Sequence, residues 1–285
     1  MQNAKREIPV LNTIKALTLD LDGTILRPNS ILSDYTIKVL KLYIDMGIKI
    51  IIATGRSPES SEQFRSAIGA EGAMIYFNGA EVVEMPNKKI LHIDFLSKEV
   101  NEYCINIARK KNIYLQMYVP NENTHLLLTE KYREESEAYY KHTGIKAIEK
   151  RFDDIFSTPS FLGSIKSMFL VDQSHHEEIK KELYEKFGDE INVYRSSPIY
   201  LEVLKKGITK GSALSHILSY YDFSQKEVIA FGDEENDLTL FSVAGFAVAP
   251  ANAKEEAKNK ADLVVSSNDE DGVAKFLESL LLNKK

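Results

Sequence analysis

Cysteine is nearly absent, with Cys104 alone among 285 residues. A single thiol can neither close an internal disulfide nor build a multi-cysteine zinc site, so the secreted disulfide scaffold and the zinc ribbon are excluded. Long hydrophobic runs are missing too. Apolar stretches such as residues 50–53 and 126–128 are strand-sized, far short of the ~20 residues a membrane-spanning helix needs. The opening stretch MQNAKREIPVLNT has no apolar core of signal length, and Pro9 interrupts its hydrophobic part. A cytosolic protein is expected. Nor is there an excess of basic charge: 36 Lys and Arg stand against 42 Asp and Glu, a formal charge of −6. That balance offers no global attraction to nucleic acid or an anionic membrane. The absence of fixed-period repeats and low-complexity tracts removes solenoids and disordered arms. If such a protein handles an anion, it must concentrate positive charge locally.

What is present is ordinary globular material, 44% hydrophobic and 27% charged, in a length suited to one large domain or two moderate ones. Residues 14–54 read strand, loop, helix, strand: IKALTLDLD is β-rich, Ser33 can cap a helix running to Met46, and Gly47 ends it before IKIIIATG. Pro58 suits the first turn of another helix, and AMIYFNG supplies a third strand closed by Asn78 and Gly79. Near-continuous apolar strands alternating with amphipathic helices predict an α/β fold with a doubly wound, Rossmann-like parallel sheet, whose ligands sit at the carboxyl ends of the strands.

From about Asn87 the character shifts. Helices are expected at 97–111, 130–143 and 175–187, with strands near 113–119, 124–129, 166–171 and 191–196, which reads as a second α/β domain. After Tyr200 the alternation resumes, with helices at 209–221, 235–242, 253–259 and 271–282 and strands at VIAFGD, 245–249 and 262–265. The expected division is therefore a core of residues 1–86 and 199–285 with an inserted cap of residues 87–198, placed where a lid belongs.

The chemistry concentrates at strand ends. Asp20 and Asp22 lie in LTLDLDGT, where period-2 alternation aims both carboxylates the same way and Gly23 permits a sharp turn. Such a pair can also be hydrophilic punctuation. Asp233 and Asp237 lie in VIAFGDEENDL, a segment equally readable as a turn and helix start where acids are favoured by the dipole. If the sheet aligns these ends, four carboxylates converge. Two unit charges ~4 Å apart repel by about 4 kcal/mol at an effective dielectric near 20, so the cluster needs a cation. Oxygen ligands without His or Cys select Mg²⁺. Thr54-Gly55-Arg56 after a strand and Lys210-Gly211 at a helix start offer a hydroxyl, amides and a cation to a phosphate. Arg56 could as easily pair with an acid at its helix start. Cys104 is expected in the core. His175 and His176 lack spaced metal-binding partners, and Tyr118, Tyr132, Arg195 and Tyr200 are lid or hinge candidates among many structural tyrosines.

DLDGT, ATGR, KG and GDEEND, in that order and each in a βα context, resemble the four motifs of the haloacid dehalogenase superfamily of phosphatases. The cap-sized insertion, FNGA and KGITKGSAL resemble its Cof-type members. The resemblance implies that Asp20 is the nucleophile and forms an aspartyl-phosphate, with Asp22 as general acid and then base. It also implies Mg²⁺ on the Asp20 carboxylate, the Asp22 backbone carbonyl and Asp233. Phosphoryl oxygens would rest on Leu21, Thr54, Gly55, Lys210 and Asn236, and Asp237 would steady Lys210 or the metal shell. Glu234 departs from the small residue common there. The implied activity is Mg²⁺-dependent hydrolysis of small phosphomonoesters by a monomer or weak homo-oligomer, with no nucleic-acid or membrane partner. A phosphomutase or phosphotransferase, or a non-catalytic phosphate sensor, are the alternatives.

Overall fold

The computed structural model of the chain describes residues 5–122, 124–158 and 161–282; residues 1–4 of the expected N-terminal extension lie outside them. The first stretch runs β1 (Ala16–Leu19), α1 (Asp34–Asp45), β2 (Lys49–Ile52), α2 (Pro58–Ile68), β3 (Gly72–Tyr76), β4 (Glu81–Met85) and β5 (Lys89–Ile93). It continues with α3 (Lys98–Lys111), β6 (Tyr114–Asn121), β7 (Thr124–Thr129), α4 (Glu134–Thr143), β8 (Ile148–Glu149), α5 (Phe152–Phe156), β9 (Lys166–Leu170), α6 (His176–Phe187), β10 (Ile191–Ser197) and β11 (Tyr200–Lys205). The last stretch is α7 (Lys210–Tyr221), β12 (Val228–Phe231), α8 (Leu238–Val243), β13 (Phe246–Pro250), α9 (Glu255–Lys260), β14 (Leu263–Val265) and α10 (Gly272–Leu282).

The chain divides into two compact units, one of residues 1–56, 61–92 and 209–285, the other of residues 57–60 and 93–208. The borders differ from those at 86/87 and 198/199. A hairpin partner, β5, extends the first unit to His92, and β11 pairs antiparallel with β9 and β10, which keeps it in the second.

In the first unit a parallel sheet has the order β14-β13-β12-β1-β2. Its central strands are buried on both faces, as their unbroken apolar sequences require. Ala16, Ile51, Ala230 and Ala247 pack with Leu214 and Ile217 of α7, Leu240 and Phe241 of α8 and Ala257 of α9. On the alternate face Phe231 meets Phe276 of α10 with ring centroids 6.2 Å apart, and the Tyr43 hydroxyl of α1 donates to the Leu277 carbonyl at 2.8 Å. Ser33 caps α1 by accepting the Thr36 amide at 3.0 Å. The expected βαβαβ run is present as β1, α1, β2, α2 and β3, but β3 joins the parallel sheet only through one parallel bridge, Ala53 to Ile75, and pairs along its length in an antiparallel sheet β3-β4-β5. Gly79, at φ +107°, closes β3 where a Cβ would collide with the Thr209 carbonyl, so the backbone of this turn lies directly against the start of α7.

The second unit is a six-stranded sheet, β10-β11-β9-β6-β7-β8, antiparallel except between β7 and β8. Its own core joins Cys104 and Ile105 of α3, Ile179 and Leu183 of α6 and Phe169, Leu201 and Val203 of the sheet. Among the described residues no helix is long and apolar enough to cross a membrane.

Candidate active site

Three neighbouring parallel strands deliver the site. β1 ends at Leu19, and the Asp20 amide still donates to the Phe231 carbonyl at 3.0 Å, so Asp20 leaves the sheet at a fixed place. Asp233 follows the end of β12 by two residues, and Thr54 follows β2, its amide donating to the Ile75 carbonyl at 2.9 Å. All three stand at the carboxyl edge, where open α/β sheets bind ligands. Lys210 comes from the first residue of α7, whose start is set by Thr209 accepting the Ser212 amide at 2.9 Å.

Lys210 is 1% exposed, and its Nζ donates to Asp20 Oδ1 at 2.6 Å and to Asp237 Oδ1 at 2.7 Å. The other oxygen of Asp237 accepts the amides of Asp233 at 2.9 Å and Glu234 at 3.1 Å, which fixes the loop after β12. Asp233 accepts the Thr24 hydroxyl at 2.7 Å. Gly23, at φ +77°, has no room for a Cβ, which would strike the Asp233 carboxylate. Oxygens of Asp20, Asp233 and Asp237 lie within 4.8 Å of one another, all three residues buried.

One ammonium cannot neutralise three buried acids. Burial raises the Asp20 pKa well above the carboxylate range, against the pull of Lys210 and with repulsion from Asp237 and Asp233 added. Burial and Asp237 raise Asp233 to about 7, against the Thr24 hydrogen bond. Burial alone would lower Lys210, but Asp20 and Asp237 outweigh it and hold the ammonium charged. Hard oxygen donors with surplus negative charge are the donor set that a divalent cation such as Mg²⁺ takes, so the residues fit that metal.

Asp22 is not part of the convergence expected of four carboxylates. The strand stops at Leu19, so period-2 alternation no longer governs residue 22, and the chain turns with the Leu21 carbonyl accepting the amides of Thr24, Ile25 and Leu26. The Asp22 carboxylate is instead gripped by Arg56, whose Nε donates to Oδ2 at 2.7 Å and Nη2 to Oδ1 at 2.6 Å. Arg56 thus has an acid partner on the loop after β1. Leu21 is fully buried and offers the site only backbone. Thr54 Oγ1 accepts the Arg56 amide at 3.1 Å. Asn236 donates from Nδ2 to Asn78 Oδ1 at 2.9 Å, and its own buried Oδ1 has no partner among the described residues. Its carboxamide nitrogen carries a second N–H besides the one given to Asn78. Asn78, at φ 58°, donates its amide to the Thr54 carbonyl and so ties the β3 turn to the one after β2. Glu234 is exposed, its side chain 3.8 Å from Lys254, and its charge adds to the rise of the Asp233 pKa.

The family model for haloacid dehalogenase-like hydrolases matches residues 17–277, a span that holds every residue of this constellation. The chain belongs to that family. This hydrolase is 28% identical over 298 residues to the Bacillus subtilis 5-amino-6-(5-phospho-D-ribitylamino)uracil phosphatase YwtE, with 94% of this chain and 98% of that protein covered. It superposes on a haloacid dehalogenase-like hydrolase from Bacteroides thetaiotaomicron with a TM-score of 0.85 and 28% identity, over 94% of this chain and 99% of that one. The sugar phosphatase BT4131, of subclass IIB, gives a TM-score of 0.76 and 25% identity over 94% and 99% of the two chains. The hydrolase is thus a phosphatase by family. Its other singled-out residues have structural partners: Cys104 is fully buried, His176 meets the Val171 carbonyl at 3.2 Å, and the Tyr118 and Tyr139 hydroxyls are 3.0 Å apart. Tyr132 donates to Glu137 at 2.9 Å, Tyr200 packs on Tyr139 with centroids 5.7 Å apart, and Arg195 and His175 are exposed.

Proposed function

We propose that the protein is a Mg²⁺-dependent phosphomonoesterase for small phosphorylated metabolites, sugar phosphates and nucleotide-like cofactor phosphates among them, working through a phosphorylated Asp20. The observation that carries this reading is the buried Lys210 bridging Asp20 and Asp237 beside Asp233. Asp20 and Asp233, with the Asp22 backbone carbonyl, would hold the Mg²⁺, which when bound supplies charge compensation to the phosphoryl group. Lys210, the Thr54 hydroxyl, the Leu21 and Gly55 backbone amides and the Asn236 carboxamide hold phosphoryl oxygens. Asp237 keeps Lys210 aimed.

In the first step an Asp20 oxygen bonds to phosphorus as the ester P–O bond breaks, and the leaving oxygen takes a proton from Asp22. In the second, Asp22 takes a proton from water, the water oxygen bonds to phosphorus, and the Asp20–phosphorus bond breaks to release phosphate. Phosphoryl transfer asks mainly for alignment and for balance of charge on the equatorial oxygens, which this set of groups supplies. The names of the relatives set the first compounds to try, a panel of sugar phosphates with 5-amino-6-(5-phosphoribitylamino)uracil. The inserted unit is proposed to carry the choice among them.

The test is phosphate release from that panel with Mg²⁺, run beside Asp20→Asn, which is expected to lose about a thousandfold or more. No release from any compound, or an Asp20→Asn variant as active as the parent, overturns the reading. Isotope from labelled water in the product separates hydrolysis from return of the phosphoryl group to a second alcohol.

A further inference from the structure

The two partners of the Arg56–Asp22 contact are held very differently. The Asp22 side chain is 49% exposed, on a turn before Gly23, whereas that of Arg56 is 9% exposed. Arg56 is fixed from several sides. Its Nη2 also donates to the Ser30 hydroxyl at 2.8 Å, and its guanidinium lies 5.2 Å from the centre of the Phe64 ring. Its amide donates to Thr54 Oγ1 at 3.1 Å and its carbonyl accepts the Phe77 amide at 3.0 Å. An exposed ion pair between two mobile side chains contributes little, because both must be ordered to form it. Here the guanidinium is ordered already, and a planar fork meets both carboxylate oxygens in one geometry.

We propose that Arg56 is the positioning residue of Asp22: it selects one orientation of an otherwise exposed carboxylate and ties it to the Thr54 turn, so that the proton-carrying group and the phosphate-holding group keep a common frame. The inference rests on the phosphatase reading, in which Asp22 passes the proton. Arg56 touches neither phosphorus nor the leaving oxygen and acts through Asp22 alone. In the second step, with the fork closed, Asp22 presents a fixed oxygen to the water that attacks the phosphorylated Asp20. The proton moves from that water to Asp22, and from there to solvent or to the next leaving alcohol. Loss of the fork therefore slows hydrolysis of the phosphoenzyme, and slows the first step only for esters whose leaving oxygen needs a proton.

The experiment is a double-mutant cycle on the full chain with Mg²⁺, using Arg56→Ala, Asp22→Ala and the pair. A sugar phosphate is compared with p-nitrophenyl phosphate, whose leaving group needs no proton. Arg56→Ala is expected to lower kcat on the sugar phosphate by about tenfold or more with KM changed less than about threefold. In the Asp22→Ala background the same change is expected to cost nothing further. Acid quenching with p-nitrophenyl phosphate is expected to trap more phosphoenzyme in Arg56→Ala than in the parent. Arg56→Lys, which keeps the charge but cannot fork, should fall with Arg56→Ala, and it serves if the alanine variant does not fold. Losses that add in the double mutant, a loss wholly in KM, or full activity in the lysine variant overturn the inference. A failed phosphatase reading shows separately, as an active Asp20→Asn variant or an absence of trapped phosphoenzyme in every protein.

Discussion

Lys210 sits between two carboxylates with almost no access to water, and breaking a buried pair from one side strands the other partner's charge. Lys210→Met is expected to destabilise the protein by about 3 to 5 kcal/mol in urea titrations. Asp237→Asn added to it should recover part of that loss, since one stranded charge is removed. A Lys210→Met variant as stable as its parent would mean that the two acids are held neutral and need no ammonium. Cys104 is a second residue whose surroundings dictate its chemistry. Burial pushes its thiol up to about 12, and the thiolate is the reactive form. Iodoacetamide at pH 8 is expected to leave the native protein unlabelled and to alkylate it in urea; rapid native labelling, read by mass spectrometry, contradicts that.

At the scale of elements, Asp271 joins the loop after β1 to the start of α1 and the approach to α10. It accepts Arg27 Nε at 3.0 Å and Ser33 Oγ at 2.9 Å. Burial would raise its pKa, but these hydrogen bonds outweigh it and the net shift is downward. A depressed carboxylate contributes stability above its unfolded pKa, about 3.9, and that contribution disappears as pH falls through the folded value. Asp271→Asn is therefore expected to be less stable than the parent at pH 7, with the gap in urea midpoint closing as pH falls below about 4. A gap constant from pH 7 to pH 2 rules this linkage out.

The same scale explains what could be read in advance. Caps at Ser33 and Thr209 adjoin the helices they start, and buried parallel strands such as VIAF carry their apolar character in every residue, so the βα alternation is local information. β4, with the sequence EVVEM, and β11 form hairpins with the strands just before them, β3 and β10. Charged residues among their apolar ones, Glu81, Glu84 and Glu202, hide them from a search for unbroken apolar strands. Asp20, Asp233 and Lys210 were legible because strand and helix ends place them. Asp22 was misplaced because its strand stops one residue before Asp20, and Arg56 found its partner 34 residues upstream.

For the whole molecule, the second unit's core is drawn from residues inside its own span, from Leu96 to Val203. A fragment of residues 93–208 is expected to unfold cooperatively by circular dichroism, as a unit with its own core does; a non-cooperative thermal scan refutes this. The surplus negative charge in the first unit predicts that Mg²⁺ stabilises the intact chain, by about 2.7 kcal/mol at a hundred times its Kd, and that Asp233→Asn weakens the effect. An Mg²⁺-independent Tm in both proteins argues against a metal at this cluster.

The order of strands in the parallel sheet also sets a timetable for synthesis. β1 lies between β12 and β2, and Ala16 pairs with Val228. At a translation rate of roughly 5–20 residues per second, the strand that leads to Asp20 waits on the order of ten to forty seconds for that neighbour to be made. Through the interval β1 has β2 on one side and an open edge of unpaired backbone groups on the other, while the inserted unit, complete at residue 208, is already free to fold. The nascent chain is thus most exposed to chaperones and to aggregation just before Lys210 and Asp233 emerge, and the buried cluster around Asp20 can close only at the end.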